Sequence, residues 1–303
     1  MNMNKIIIKN ILKEIQNWKI PFKFIGNEDG IVLRPASIYD IEDYDLSFYR
    51  NFDFKEHYNK VNSNNLIILH HDVYSSELPK SNYIFVDDPS LCFNIVGWLF
   101  KKKTKSIHES AQISKSALIG KNVHVGANTI INDKVEVGNN TYIAENCVIS
   151  NSIIGKDVSI QPGVKIGSMG LGSYMHPNGK WVDFPHFGNV IIENNVVIQD
   201  NTVINRGSLN DTTIKKYSRI GPLCCIAHGV SIGESCFISQ ASTIAGSVKI
   251  GSKSTIWGNS SIRDGVTIGK NCVIGLGAVV VKNVPDKQLW VGNPARFMKK
   301  ISL

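Results

Sequence analysis

From Ile107 onward an aliphatic side chain returns at every sixth residue, and few architectures can use such a period. The α-helix repeats at 3.6 residues and the strand at two, so neither accounts for it. The run begins Ile107, Ile113, Ile119, Val125, Ile131, Val137, Ile143, Ile149, and slips by one residue to Ile154, Ile160 and Ile166. It resumes at Ile192, Ile198 and Ile204, then holds from Ile214 through Ile226, Ile238, Ile250, Ile262 and Ile274 to Val280. Two positions before the aliphatic the residue is small or β-branched, as at Ala117, Thr129, Cys147, Thr202, Cys224, Cys236, Cys272 and Ala278. This pattern fits short strands joined by tight corners, each turning one large and one small side chain inward. Three strands close a triangular coil of about 18 residues, and coils stack at the strand spacing of ~4.8 Å. The twenty-six hexads make roughly nine coils.

Two segments break the period: residues 168–189 (SMGLGSYMHPNGKWVDFPHFGN) and residues 206–211 (RGSLND). Loops that interrupt a regular scaffold are where function concentrates.

Residues 1–105 lack the period. A helix is expected over 4–17, strands over 30–34, 46–49, 66–70 and 83–86, and a second helix over 89–100 with Pro89 in its first turn. These form a small α+β domain. The basic run Lys101, Lys102, Lys103 and Lys105 links it to the β-helix of 106–284. A tail, 285–303, follows, in which 295–301 is expected to form a short C-terminal helix. The 303 residues, 43% hydrophobic, suffice for two cores. A net charge of +8 suits a phosphorylated partner. No stripe of Arg and Lys with interleaved aromatics marks a nucleic-acid surface, and charge alone does not choose among smaller phosphorylated partners such as nucleotide sugars and coenzyme A.

The first twenty residues read as an amphipathic helix rather than a signal peptide, and no apolar run reaches the ~20 residues of a membrane span. Cytoplasm is the expected compartment. Six cysteines form no CxxC pair, and Cys147, Cys224, Cys236 and Cys272 fall on the small inward position, as packing residues,. The histidines of the repeat region (His108, His124, His176, His186 and His228) are too scattered for the three-imidazole metal site of a hexapeptide carbonic anhydrase, so no metal is expected,.

The six-residue pattern resembles the hexapeptide repeat, whose proteins form left-handed parallel β-helices. Handedness follows from that resemblance and not from the period. The implied fold is mainly β: a left-handed parallel β-helix with the small N-terminal α+β domain and short C-terminal helix. Three stretches together resemble the bacterial UDP-3-O-acylglucosamine N-acyltransferases of lipid A synthesis. They are SFYRNFDF (47–54) with DDPSLCF (87–93); GLGSYMHPNGKWVDFPHFGNVIIENNVVI continuing into NRGSLNDT (205–212); and CIAHGVSIG (225–233) with IAGSVKIG (244–251).

The resemblance implies an enzyme in which His228 is the base. The chemistry agrees, because a sugar ammonium must lose a proton before its nitrogen attacks a thioester, and imidazole titrates near neutrality. Gly246, one coil beyond, then supplies an N–H to the thioester oxygen and borders the donor. Asp211, 17 residues before His228, is expected to orient the imidazole. Phe48, Asn51 and Phe54 match the set that holds the nucleotide base, the aromatics stacking on it and the amide reading its edge. His186 and the long insertion are expected to border the sugar, with Asn205 also on the substrate. The resemblance further implies a homotrimer with active sites between neighbouring β-helices.

The chain departs from this family twice. The stretch WGNSSIRDGVTIG lacks the family's further histidine, and VPDKQLWVGNPARFMKK stands where the family has long helices. That ending is similar to the tail of acetyl-coenzyme-A-dependent hexapeptide sugar acetyltransferases. It implies an acyl-CoA donor rather than acyl carrier protein, with Arg263, Lys282 and Arg296 toward the coenzyme phosphates. With these departures the chain resembles more nearly a group that keeps the lipid A architecture but acylates a dideoxy amino sugar, the dTDP-4-amino-4,6-dideoxyglucose N-acyltransferases of the anthrose type. The expected activity is acyl transfer to the amine of a dTDP- or UDP-linked amino sugar. The alternatives are carrier-protein-dependent acylation of UDP-3-O-acylglucosamine and a non-catalytic β-helix scaffold.

Overall fold

In the computed structural model, which describes residues 5–101 and 106–301, the hexads become strands of mostly two residues separated by turns. Ile130–Ile131 lies parallel to Val148–Ile149, eighteen residues on, and this pairing repeats along three sheets of ten, nine and eight strands. Together they form a parallel β-solenoid. Ile160, Ile204, Ile226, Ile238 and Ile274 are fully buried, one per strand, within one continuous core. Small inward residues stack between them. Thr202 Oγ1 donates to the Gly221 carbonyl at 2.8 Å and accepts from the Cys224 N–H at 3.1 Å. Ser218 and Ser254 do the same farther along, so each buried hydroxyl satisfies two backbone groups,. Cys147, Cys224, Cys236 and Cys272 are buried in the same rows, where desolvation pushes their thiols up,.

The corners need a left-handed backbone. Asn122, Asn128, Asn140, Asn146, Asn195, Asn201 and Asn259 all lie at φ between 56° and 60°. Asn tolerates this region because its short amide bonds locally. Within an uninterrupted run it recurs at multiples of six, as from Asn122 to Asn146 and from Asn195 to Asn201.

The interruptions leave the ladder intact. The one-residue slip shortens a coil, so that Tyr142 faces Ser159. Ser159 then faces Val197, the long insertion having looped out, and Val197 faces Arg219 across the short one. Arg219 faces Phe237, and the spacing is eighteen again.

The tail corrects the expected C-terminal helix. Gln288–Val291 and Arg296–Lys300 form an antiparallel hairpin on the end of the ten-stranded sheet. The last coil leaves a row of unpaired backbone groups, and a hairpin satisfies them where a helix would not. The exposed Lys299 and Lys300 on the new edge disfavour further pairing,.

By contact the chain divides into Met1–Lys103 and Thr104–Leu303. Lys102, Lys103 and Lys105 of the basic run lie outside the described residues. The first unit holds a five-stranded sheet in which Arg34–Pro35, Asp45–Phe48, Leu66–His70 and Asn82–Val86 run parallel, with Lys23–Ile25 antiparallel at one edge. Leu66 and Ile68 pack on one face with the helices Ile8–Asn17 and Pro89–Gly97; Ile67 and Leu69 face the other core. Burial on both faces explains the unbroken apolar run LIIL. The first helix begins later than expected because Ile6–Ile7 pairs with Ile31–Val32. Among the described residues no helix is long and apolar enough to cross a membrane.

Candidate active site

One corner of the solenoid carries both insertions and His228. Lys165–Ser168, where the long insertion leaves, pairs with Val203–Asn205, where the short one leaves. That strand pairs with Cys225–Ile226, which ends two residues before His228. Coil stacking alone therefore brings the three together.

The insertions hold each other. Arg206 donates from Nε to the Gly188 carbonyl at 2.6 Å and from Nη2 to that of Phe187 at 2.9 Å. The Phe187 N–H donates to the Ser208 carbonyl at 2.7 Å. The amide of Asn205 donates to the carbonyls of Ser168 and Met169 and to Ser168 Oγ, closing the long loop at its base.

His228 stands against this frame with Nδ1 3.1 Å from Ser208 Oγ. With the proton on Nδ1 and donated to Ser208, Nε2 keeps the lone pair a general base requires. Gly246 lies one coil on. A Cβ there would sit 2.7 Å from His228 Nε2, 2.6 Å from its Cε1 and 2.6 Å from Asp264 Oδ2. Only glycine leaves the imidazole room. The Gly246 N–H makes no hydrogen bond among the described residues, so it is free to donate.

His186 meets His228 edge to face, with ring centroids 5.3 Å apart. Its Nδ1 lies 2.9 Å from the Phe184 carbonyl, which can only accept, so that nitrogen carries the proton. Nε2 is left as a buried acceptor without a partner among the described residues. Gly170 closes over both rings: a Cβ there would lie 3.2 Å from His186 Nε2 and from His228 Cδ2. The cleft in front of His228 is lined by Tyr174 of the long insertion and by Ser247, Lys249 and Asp264 of later coils. Among the described residues no group of His, Cys, Asp and Glu is arranged to hold a metal ion.

Several expected roles change. Asp211 does not orient His228; its carboxylate accepts the Asn189 N–H at 2.6 Å, because the insertion shifts it out of the stacking column. Ser208 lies beside the ring instead, and the sequence marked only the interruption 206–211 that contains it. Asn205 clamps the loop and is absent from the cleft lining. Arg263, Lys282 and Arg296 are exposed and do not line the cleft either. Asp264 and Lys249 went unnoticed, although Asp264 is two coil lengths past His228 and the period alone could have found it.

In the first unit Phe48 is half-buried and stacks on Phe93, centroids 4.5 Å apart, joining the two stretches SFYRNFDF and DDPSLCF. Asn51 is exposed. Phe54 cannot stack on a base as placed here: it is fully buried, packed against Tyr49 and Tyr58. Its neighbour Phe52 is the exposed aromatic, at 66%, edge-on to His70.

Comparison with known proteins agrees with this architecture. Residues 247–282 match the bacterial transferase hexapeptide (six repeats), residues 229–264 the hexapeptide repeat of succinyl-transferase, and residues 102–209 the GMPPB C-terminal domain. The UDP-3-O-acylglucosamine N-acyltransferase of Caulobacter vibrioides (strain NA1000 / CB15N) is 46% identical over 155 residues, 51% of this chain and 45% of that protein. The chain thus spans about half the length of that relative. The enzyme of the same name from Francisella tularensis subsp. holarctica (strain FTNF002-00 / FTA) is 33% identical over 229 residues, covering 68% of this chain and 67% of its own. Among solved structures, LpxA from Acinetobacter baumannii superposes with a TM-score of 0.58 at 26% identity, over 64% of this chain and 74% of its own. The UDP-N-acetylglucosamine acyltransferase of Campylobacter jejuni, at 24% identity and a TM-score of 0.58 over 64% of this chain and 75% of its own, shares the fold.

Proposed function

The chain belongs to the family of the UDP-3-O-acylglucosamine N-acyltransferases, and from that premise we propose that it transfers an acyl group from a thioester to the amine of a nucleotide-linked amino sugar. The observation that carries this reading is the His228 corner: an imidazole with Nδ1 held by Ser208 and Nε2 turned to the bare backbone of Gly246. His228 removes a proton from the acceptor nitrogen, which attacks the thioester carbonyl. The Gly246 N–H stabilises the oxygen that becomes negative, and the thiolate leaves with the proton carried by the imidazole.

The relatives favour a UDP-linked 3-O-acylglucosamine as acceptor over the dTDP-linked dideoxyamino sugar that the departures from the family pointed to. Lys249, a cation in the cleft lining with no ion-pair partner among the described residues, suits a phosphate of that nucleotide. Phe48 and Asn51, with Phe52 rather than Phe54, are the proposed base contacts. The donor is an acyl thioester of coenzyme A or of acyl carrier protein. Three copies of the chain, with the cleft shared between neighbours, form the working assembly in this reading.

A donor-by-acceptor matrix tests the proposal. Acetyl-, 3-hydroxybutyryl- and long 3-hydroxyacyl thioesters of both carriers are offered with UDP- and dTDP-linked amino sugars. The expected result is turnover with UDP-3-O-acylglucosamine and a loss of about 10²–10⁴-fold in His228→Ala. Equal turnover by that variant, or none by the native chain on any pair, overturns the reading.

A further inference from the structure

Asp264 faces the catalytic imidazole across a gap that Gly246 keeps empty. His228 Nε2 and Asp264 Oδ2 lie 2.7 and 2.6 Å from the same point, the place a Gly246 side chain would begin. They are therefore less than twice that distance apart. They form no ion pair with each other, and Asp264 has no partner among the described residues. One nitrogen between the two groups, standing off the Gly246 backbone at van der Waals distance, can bridge a separation of this size with a hydrogen bond to each. We propose that this gap is the seat of the acceptor's amino group, and that Asp264 makes the site specific for an amine over a hydroxyl. The inference rests on the acyl-transfer reading and adds the group that recognises the nucleophile.

An amino sugar arrives largely as its ammonium ion, with three protons. The first passes through His228 to solvent and frees the lone pair. The nitrogen then forms the C–N bond to the thioester carbonyl carbon, and collapse of the tetrahedral adduct breaks the C–S bond. The second proton travels by way of the same imidazole to the departing sulfur. The third stays on the new amide, and Asp264 accepts a hydrogen bond from the nitrogen without itself changing protonation. A sugar hydroxyl has one proton. Donated to His228, it leaves the carboxylate facing an oxygen lone pair, which is repulsive. Discrimination between acceptors thus follows from proton count, and a carboxylate supplies it where a neutral side chain would not.

The test uses the full chain and two acceptors, UDP-3-O-acylglucosamine and the corresponding UDP-3-O-acylglucose, with the thioester the native chain uses best. For Asp264→Asn the KM for the amine is expected to rise roughly tenfold, as for a lost charge-assisted hydrogen bond, while kcat falls less. In the native chain the amine's KM should climb as pH rises through the amine's own pKa; in the variant that climb should flatten. Acylation of the hydroxyl acceptor should rise or hold. Asp264→Glu should restore part of the pH dependence, and thermal melting confirms that both variants are folded. Native turnover with an unchanged KM and pH profile in folded Asp264→Asn would overturn this proposal alone. Absence of native turnover would instead overturn the acyl-transfer reading on which it stands.

Discussion

The Ser208 hydroxyl lies 3.1 Å from His228 Nδ1 because a six-residue insertion carries it out of the regular coil and onto the histidine's corner. A serine at a regular corner would stack in the column and not against the ring. The hydroxyl can accept a proton donated by Nδ1, and in that arrangement Nε2 keeps the basic lone pair,. In Ser208→Ala one neutral hydrogen bond that positions the ring is lost, about 1 kcal/mol. Turnover should fall about fivefold with KM little changed. A steady-state comparison at saturating donor checks it; an unchanged kcat would remove Ser208 from the site.

Gly246→Ala should abolish most activity without unfolding the chain. The new methyl would meet the His228 ring and the Asp264 carboxylate, both ends of side chains that can swing aside, and not a rigid backbone. Melting temperature should stay within a few degrees, since no cavity or buried unpaired group is created. Activity should drop by roughly a hundredfold, comparable to loss of a positioned base. A variant as active as the native chain would mean that the imidazole does not work from its present position.

Thr202→Val tests what holds the coils in register. The substitution keeps the volume and removes a hydroxyl that both donates to Gly221 and accepts from Cys224. Two buried backbone groups lose their partner, at a cost of about 2 kcal/mol. Urea unfolding should show that loss in the midpoint with the slope unchanged.

Phe52 and Phe54 should separate binding from folding. Phe54→Ala leaves a cavity in the first unit and should cost about 3–5 kcal/mol of stability. Phe52→Ala should cost almost none, yet weaken UDP binding by about 1–3 kcal/mol if the exposed ring stacks on the base. Calorimetric titration with UDP, alongside melting, distinguishes the two. Normal UDP affinity in Phe52→Ala would take that ring out of the proposed base site.

The cysteines should react unequally. Burial pushes the Cys92 thiol up to about 12 and raises those of Cys147, Cys224, Cys236 and Cys272,. Cys225 is only half-buried. An alkylating reagent at about pH 9, near the pKa of a free thiol, should modify Cys225 first and leave the other five until the chain is unfolded. Peptide mapping by mass spectrometry reads the order directly.

The solenoid was legible because its energetics are local and periodic. Each hexad repeats the same choice of one large inward side chain, one small one and a corner, so twenty-six weak signals add. The four inward cysteines could be told from ligands on the same grounds. Phe54 was not legible: an aromatic that packs and one that stacks on a ligand leave the same letter in the sequence. The tail failed for a related reason, because residues 295–301 carry no pattern strong enough to outweigh an unpaired sheet edge beside them.

By itself the sequence determined the solenoid, the column in which His228, Gly246 and Asp264 succeed one another, and the places where insertions leave that column. A fixed rise per coil turns separations in the chain into neighbours in space, so counting suffices. Only the tertiary structure decided what the insertions do once they leave: that they bind each other, that Ser208 and not Asp211 meets the imidazole, and that His186 closes beside it. Outside the repeat there is no period to convert sequence distance into position, and those contacts are set by how two irregular loops satisfy their own hydrogen bonds.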